Sequence, residues 1–357
     1  MIGTGGCGNK ILDEFFDLID NSEDLLSTYD SVFINSNINE MNKMKHFDAN
    51  INGLCINGNG TGRNPKRAKA CIGREKSKII NFFKNRIQNY NMATIISSSD
   101  GGFGNGSLKI IANILRQFNS ELSINLLLAY PKISSGSASL ENSLSLYKEI
   151  ESMKKSGIIN SSIFIDNNKM EEEKDFNKKV CKIYLKSMEL GIGAVDGSDT
   201  TVLNSASGYK VIFDLDDYIH DNLQTAIDKN IKDSPFLMPL KFNCTHLAGV
   251  LEEGIFNKND VLDIFHPKVF DKIDYGETNT IVLAGCQMPT ASMNTLKSAL
   301  VDLNIEMDSE EDEDEEFDFD LEEIKSLNSK NEISKPKEKS SEKPKSFRDM
   351  MDDDFWD

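Results

Sequence analysis

Residues 100–115 read DGGFGNGSLKIIANIL, and they follow the apolar, β-branched run ATIISSS at residues 93–99. Four glycines lie close together directly before an apolar stripe with helical spacing. Because these residues have no side chains, their backbone amides are exposed at a helix N-terminus, where phosphate oxygens bind well. The stretch therefore predicts either a cradle for a di- or triphosphate or a tight turn in which Ser107 caps the helix.

A second glycine-rich loop, MIGTGGCGNK, lies at residues 1–10. Gly3, Gly5 and Gly8 fit the G-x-G-x-x-G pattern of dinucleotide-binding folds, which requires a strand before the loop, a helix after it and an acidic residue at the end of the next strand. Only the helix is clearly indicated, because the next apolar run ends in asparagines. Lys10 lacks the context of a Walker A lysine. Two glycine loops on one sheet favour phosphate binding over two tight turns.

Apolar runs and amphipathic segments alternate along the chain, as strands and helices do in an α/β fold with a parallel sheet covered on both faces. We expect strands at 31–37, 93–99, 124–130 and 162–166, and a second, smaller α/β unit with strands at 209–215, 241–251 and 279–288. The predicted organisation is a nucleotide-binding domain at 1–174, a central helix at 175–190, a second α/β domain at 191–304 and an acidic tail at 305–357.

The net charge of -18 would repel a polyanion over most of the surface, which argues against extensive direct contact with DNA. The tail is strongly acidic and nearly free of apolar residues, so we expect it to be disordered. Its last stretch, SFRDMMDDDFWD at 346–357, regains aromatic residues and resembles a short peptide that folds on a partner. No run of residues is long and apolar enough for a membrane span or a signal peptide, so we expect a cytoplasmic protein.

The six cysteines and four histidines are scattered along the chain without metal-ligand spacing. We therefore predict no protein metal site, and thiols that stay reduced. The basic run RNPKRAKA at 63–70 is typical of a solvated helix face, and it would also offset triphosphate charge nearby. Asp216 and Asp217 are interpreted as helix caps.

GGFGNGS at 101–107 resembles the phosphate-binding signature of the tubulin/FtsZ superfamily, and IGTGGCGN resembles its first nucleotide loop. NSN at 35–37, GTGRNP at 60–65 and DNNK at 166–169 match further loops of the superfamily in the same order. The resemblance covers residues 1–304 and is closest to the TubZ type. It implies GTP or GDP as the ligand, with Mg²⁺, and subunits that stack head to tail. It implies nucleotide contacts from Gly5, Gly6, Cys7, Asn9, Asn35, Gly60, Thr61, Gly62, Asn64, Gly101, Gly102, Phe103, Gly104, Asn105, Gly106, Ser107, Asn167, Phe176 and Asn177.

Two carboxylates, Asp196 and Asp199, lie three residues apart at the entry to a predicted helix. The residues alone favour capping and complementation of the helix dipole. The resemblance implies instead that they belong to a loop that enters the next subunit's nucleotide site and orients the attacking water.

The chain departs from the family pattern at two positions. Val180 stands where the family has an Asn or Asp that recognises the base, so Asn177 becomes the candidate for that role. Almost no strand precedes Gly3, and a missing central strand would leave a slot in the sheet. Either the true start lies upstream or Met1 and Ile2 are the remnant of this strand, and of the two we expect an upstream start.

These features predict a filament-forming GTPase that segregates plasmid or phage DNA through a DNA-binding adaptor held by the tail. An FtsZ-like division protein is the alternative with the same chemistry. An NAD-dependent oxidoreductase and a nucleotide-sensing scaffold without turnover are alternatives from other classes.

Overall fold

The computed structural model describes residues 1–84, 86–191 and 197–311 of the chain. Its strands are β1 Ile2–Thr4, β2 Val32–Asn35, β3 Gly53–Cys55, β4 Met92–Ser98, β5 Ser123–Tyr130, β6 Ser161–Asp166, β7 Gly208–Asp214, β8 His246–Leu251, β9 Phe270–Tyr275 and β10 Thr280–Cys286. Its α-helices are α1 Gly5–Ile19, α2 Glu23–Thr28, α3 Ile38–Met41, α4 Pro65–Arg74, α5 Lys76–Lys84, α6 Phe103–Phe118, α7 Ser137–Lys155, α8 Glu173–Met188, α9 Gly197–Ser205, α10 Leu223–Asp233, α11 Lys258–Phe265 and α12 Thr290–Glu311.

All ten strands belong to one sheet, in the order β3-β2-β1-β4-β5-β6-β7-β10-β8-β9. The strands from β3 to β7 are parallel, as predicted, and their first part has the strand order common in dinucleotide-binding folds. Strand β10 is antiparallel to both β7 and β8. The connection from β9 to β10 is too short for a crossover, so the chain reverses direction there. The sheet is therefore mixed in its C-terminal part.

Strands from both predicted domains belong to the same sheet. The division of the chain into two domains stays a prediction. Strand β7 pairs with β6 through Ser161 and Gly208, so the C-terminal strands continue the N-terminal ones. The sequence did not predict β3, which has three residues, or β9, a partly exposed edge strand without a clear apolar run.

Strand β1 fills the central position between β2 and β4 in spite of its three residues. Ile2 pairs with both Val32 and Ile95, whereas β4 begins three residues earlier, at Met92. A cavity next to the start of β1 is lined by Met1, Ile2, Thr28, Tyr29, Asp30, Val32, Phe83, Arg86, Ile87, Tyr90, Met92, Ala93 and Thr94. Strand β1 thus occupies the central position that would otherwise be an open slot, and the cavity lies beside its first residue.

Helices cover both faces of the sheet, and each face has its own apolar core. One core contains buried residues of α4 to α7, and the other contains buried residues of α1, α8 and α9. The predicted central helix corresponds to α8, which packs along α1. Helix α12 continues to Glu311, past the predicted start of the tail at 305, and residues 312–357 lie outside the described residues. Among the described helices, none combines the length and hydrophobicity that crossing a membrane requires.

Candidate nucleotide-binding site

The first glycine loop allows α1 to approach the sheet and α6 closely. Gly5 starts α1 with a φ of 72°, and a Cβ there would lie 2.9 Å from the amide nitrogen of Gly104. A Cβ at Gly8 would lie 2.1 Å from the carbonyl oxygen of Ile96 on β4. The G-x-G-x-x-G spacing therefore reflects a tight strand-to-helix turn and close helix packing, which are the same requirements as in dinucleotide-binding folds.

The second glycine loop leads into α6. A Cβ at Gly102 would lie 2.6 Å from the amide nitrogen of Asn64, and one at Gly104 would lie 2.4 Å from Ser97 Oγ. Ser107 does not cap the helix as the turn hypothesis required. It lies one turn inside α6, where its hydroxyl is 2.6 Å from Thr4 Oγ1.

The N-termini of α1 and α6 have no side-chain cap, since neither Thr4 nor Gly102 accepts a hydrogen bond from the first turn through its side chain. Six other described helices, including α4, α8 and α10, do have such caps. Uncapped amides and the positive ends of two helix dipoles therefore meet at one place, and this arrangement is suited to an anion.

A cavity of about 630 Å³ lies at this place, at the C-terminal ends of the parallel strands. Twelve of the predicted contact residues line it: Gly5, Gly6, Cys7, Asn35, Gly60, Thr61, Gly62, Gly101, Gly102, Phe103, Gly104 and Asn167. The sequence thus identified loops that five different strands bring to one edge of the sheet.

Other predicted residues lie around the cavity without lining it. Asn64 caps α4, and the Asn105 side chain donates to the carbonyl oxygens of Ser99 and Asn142. A Cβ at Gly106 would lie 2.4 Å from the Pro65 carbonyl oxygen, so this glycine permits packing between helices. These residues fix the shape of the loops.

The two candidates for base contact on α8, Phe176 and Asn177, do not line the cavity. Phe176 is buried in the core between α1 and α8, and Val180 is fully buried in the same core. Asn177 is half-buried. An apolar residue at 180 is explained by this packing, because a polar side chain there would need a partner inside the core.

Asn9 lies in an adjoining cavity together with Lys10, Lys43 and Glu173. It is 1% exposed, and its Oδ1 atom has no hydrogen-bond partner among the described residues. A buried acceptor without a donor is costly, so this atom is suited to a donor group on a ligand. The neighbouring Cys7 is a neutral thiol, because burial raises its pKa to about 12.

Six residues line the main cavity that the sequence did not identify: Ser36, Asn37, Glu40, Arg63, Ser98 and Asp100. Each lies within or beside a loop that was identified, so proximity to a predicted loop was the available signal. Glu40 accepts a hydrogen bond from Asn35 Nδ2 at 2.9 Å. Arg63 had been interpreted as part of a solvated helix face that would also offset triphosphate charge nearby; it precedes α4 and lines the cavity.

A single group with metal-like geometry occurs among the described residues, formed by Asp17, Asp20 and His46. Lys45 Nζ already forms ion pairs with both carboxylates, at 2.6 Å and 2.9 Å. The group also lies away from the main cavity, and we assign it no ligand.

The predicted catalytic carboxylates lie elsewhere. Asp196 is outside the described residues, and Asp199 is half-buried in the first turn of α9. Helix α9 is tied to the start of β6, because Asn160 Nδ2 donates to the carbonyl oxygen of Ser205 at 3.0 Å. Asp199 therefore belongs to the edge of the sheet where the parallel strands begin, opposite the cavity.

A buried lysine also contacts α9. Lys210 on β7 is 5% exposed and donates to Asn204 Oδ1 at 2.7 Å. Burial lowers the pKa of Lys210 to about 8. Among the described residues, no carboxylate pairs with Lys210, so burying its charge costs free energy of folding. The hydrogen bond from Lys210 to Asn204 links α9 to the sheet.

Comparison with known proteins agrees with this geometry. Residues 1–175 match the model of the Tubulin/FtsZ family, GTPase domain. The strand order alone is compatible with a dinucleotide-binding fold, and the family match decides against that alternative. No curated protein sequence matches the chain.

Solved structures of tubulin-like proteins have the same fold. TubZ of Clostridium botulinum phage c-st, without its C-terminal tail, is 19% identical with a TM-score of 0.74, covering 85% of this chain and 96% of its own. A GTPγS-form protofilament of TubZ from Bacillus thuringiensis serovar israelensis is 16% identical with a TM-score of 0.68. The match covers 88% of this chain and 94% of the TubZ chain.

CetZ from Methanosaeta thermophila is 18% identical with a TM-score of 0.66. The match covers 92% of this chain and 97% of the CetZ chain. These two TubZ structures have higher TM-scores than this CetZ structure. With two glycine loops and two uncapped helix N-termini around one cavity, residues 1–175 are identified as a Tubulin/FtsZ GTPase domain.

Proposed function

We propose that the chain assembles head to tail into filaments, that GTP binds in the main cavity of one subunit, and that α9 of the next subunit brings Asp199 to its terminal phosphate. The observation that supports this proposal is that the main cavity and α9 lie at opposite edges of one sheet. Strand β5 spans eight residues, which is roughly 26 Å, so no side chain of α9 reaches the cavity of its own subunit.

Head-to-tail stacking brings opposite edges of neighbouring subunits together. A carboxylate next to the terminal phosphate orients the attacking water, and preorganised amides at the helix N-termini stabilise the developing charge. The TubZ protofilament from Bacillus thuringiensis with GTPγS is a related example of such self-association. Hydrolysis in this arrangement depends on assembly.

The residues of the cavity fit a guanine nucleotide with magnesium. Amides from the loops at Gly5–Cys7 and Gly101–Gly104 would hold the phosphates, and Asn9 Oδ1 would accept from the base or ribose. Mg²⁺ would neutralise phosphate charge, and its preference for carboxylate and phosphate oxygens makes Glu40 and Asp100 the candidate residues. We leave Phe176 out of the proposal because its ring is buried in the core.

GTP turnover as a function of protein concentration tests the assembly requirement. We expect the rate per subunit to rise steeply above a critical concentration. A rate per subunit that stays constant on dilution would contradict completion of the site by a neighbour.

Mixing two defective variants tests which subunit supplies which half. Asp199→Asn leaves the cavity intact, and Gly102→Ala damages the cavity but retains Asp199. We expect the mixture to hydrolyse GTP faster than the sum of the two separate variants. Where the intact cavity of an Asp199→Asn subunit meets the intact α9 of a Gly102→Ala subunit, the site is complete. If both halves acted within one subunit, mixing would add nothing.

We further propose that the filament moves plasmid or phage DNA through a DNA-binding adaptor, and that residues 346–357 bind this adaptor. The aromatic residues at the end of an acidic tail support this role. Deletion of residues 340–357 is expected to abolish adaptor binding in a pull-down and to leave GTP-dependent light scattering unchanged. Retention of adaptor binding would refute the role of the tail.

A further inference from the structure

One surface of the protein is strongly basic although the chain as a whole is acidic. Residues 66–84, which contain most of α4 and all of α5, have seven Lys or Arg and one Glu. Their net charge is therefore +6, in a chain whose net charge is -18. None of these residues lines the main cavity, so this surface is separate from the candidate nucleotide site.

Three basic side chains lie along the exposed side of α4. Lys66, Arg67 and Arg74 are exposed, and the buried residues of the helix point toward the core. Arg67 and Arg74 are seven residues apart, so they lie on the same side of the helix at a separation of about 10 Å. We call these three residues the basic stripe.

The basic stripe has no partner within the part of the chain that the structure describes, where its side chains form no ion pair and no hydrogen bond. Two carboxylates next to α4 already pair with other lysines. Glu75 Oε2 is 3.3 Å from Lys78 Nζ, and Glu149 Oε1 on α7 is 3.3 Å from Lys69 Nζ. Three like charges on one side of a helix repel one another, and an anionic segment along them would remove this repulsion.

The chain itself contains a segment of complementary charge. Residues 312–323 have nine Asp or Glu and no Lys or Arg. This acidic segment follows α12 directly and lies outside the described residues. A segment tethered to the same molecule has an effective concentration in roughly the millimolar range, so even a weak attraction to the stripe keeps it bound for much of the time.

The acidic segment begins on the same face of the sheet as the basic stripe. Buried residues of α4, α7 and α12 belong to one apolar core. Helix α12 packs along α7, and the ion pair between Lys69 and Glu149 links α7 to α4. Packed helix axes are about 10 Å apart, so roughly 20 Å separates α12 from α4. An extended segment of this length spans up to about 40 Å and therefore reaches the stripe.

We propose that residues 312–323 bind the basic stripe of α4 in the same subunit. The contact depends on charge and needs no fixed conformation of the segment, which agrees with the disorder expected of the tail. It neutralises a basic surface and keeps other polyanions away from it. Residues 324–345 separate this segment from the terminal peptide at 346–357, which therefore stays available to a partner.

Carbodiimide cross-linking of the full-length chain without nucleotide tests this contact, because the reagent joins a carboxylate to an amine where the two touch. We expect Lys66 to be joined to residues 312–323 with a yield about fivefold or more above that of Lys182, an exposed lysine on α8. Helix α8 belongs to the core on the opposite face, so Lys182 reports chance encounters with the tail. The yield at Lys66 should fall by a similar factor when the salt concentration rises from about 0.05 M to 0.5 M, because salt screens exposed charges.

Arg67→Gln combined with Arg74→Gln removes two charges of the stripe and keeps Lys66 as the reporter. Both side chains are exposed, so this variant should fold like the wild type. We expect its cross-linking yield at Lys66 to fall about fivefold. Lys174→Gln combined with Lys178→Gln is the matched control, because it removes the same charge from exposed positions on α8 and should leave the yield unchanged.

A mixture of unlabelled and isotope-labelled chains shows whether the joined residues belong to one subunit. We expect each cross-linked peptide pair to be either fully labelled or fully unlabelled. Pairs of mixed label would place the contact between subunits and overturn the assignment to a single subunit. Equal yields at Lys66 and Lys182, or a yield that does not respond to the loss of Arg67 and Arg74, would overturn the contact itself. These outcomes are independent of GTP binding and turnover, which test the proposed function.

Discussion

The two edges of the parallel sheet differ in the kind of group that they present. At the C-terminal edge, the cavity is built mostly from backbone amides of glycine loops, and the uncapped starts of α1 and α6 meet there. At the opposite edge, α9 presents side chains, with Asp199 in its first turn and Asn204 bound to the buried Lys210. A cradle of amides can bind a ligand within one subunit, whereas Asp199 at the opposite edge could act on that ligand only from a neighbouring subunit.

The strongest test of this difference is Asp199→Asn. Loss of a carboxylate that orients water should lower GTP turnover by roughly 10²- to 10⁴-fold and leave nucleotide affinity unchanged. Phosphate release and nucleotide binding are to be measured on the same preparation. Asp260→Asn is the control, because Asp260 is an exposed acid in the first turn of α11. A weaker affinity in Asp199→Asn would mean that the two edges are not functionally separate.

Lys210→Met tests how α9 is held at its edge. Burial keeps the pKa of Lys210 at about 8, against a usual 10.5, so the unfolded chain binds this proton more tightly than the folded chain. Burying the charged form of Lys210 therefore lowers the free energy of unfolding. This loss is complete below pH 8, where it amounts to about 3 kcal/mol, and it disappears as the pH rises to 10.5. Lys210→Met should therefore raise the free energy of unfolding at pH 7, and its advantage over the wild type should shrink at pH 9.

Urea denaturation at the two pH values measures this effect. Lys182→Met, at an exposed position on α8, serves as the control and should change little at either pH. If the advantage of Lys210→Met were the same at pH 7 and pH 9, Lys210 would not titrate as described. A fall in GTP turnover in this more stable variant would indicate that the contact with Asn204 positions α9.

Gly102→Ala tests the edge built from backbone. A methyl group there meets the amide of Asn64 and forces the loop at 60–64 away from α6, so nucleotide affinity should fall at least tenfold. Gly73→Ala, at the next-to-last residue of α4 and with nothing near its Cβ position, should leave affinity unchanged and stabilise the helix by at most about 1 kcal/mol. Unchanged affinity in Gly102→Ala would show that the contact between loop and helix does not shape the site.

The sequence predicted the backbone features of the cavity better than its individual side chains. Glycine loops could be located because close approach of backbones leaves a local signal, as at Gly8 and Gly104. Glu40 and Asp100 were missed because an isolated acidic residue has no local signature. Phe176 was assigned to the cavity although it is buried in the core, because periodicity does not tell which side of a helix end faces a cavity.

The sequence by itself determined the alternation of strands and helices, the glycine loops, the resemblance to the tubulin/FtsZ family and the expectation of an acidic tail. Each of these depends on residues adjacent in the chain, where spacing alone constrains conformation. Only the tertiary structure decided that the C-terminal strands continue the same sheet with β10 reversed, that Arg63 lines the cavity and that α9 lies at the opposite edge. These features depend on contacts between residues far apart in sequence, and local propensity carries no information about them.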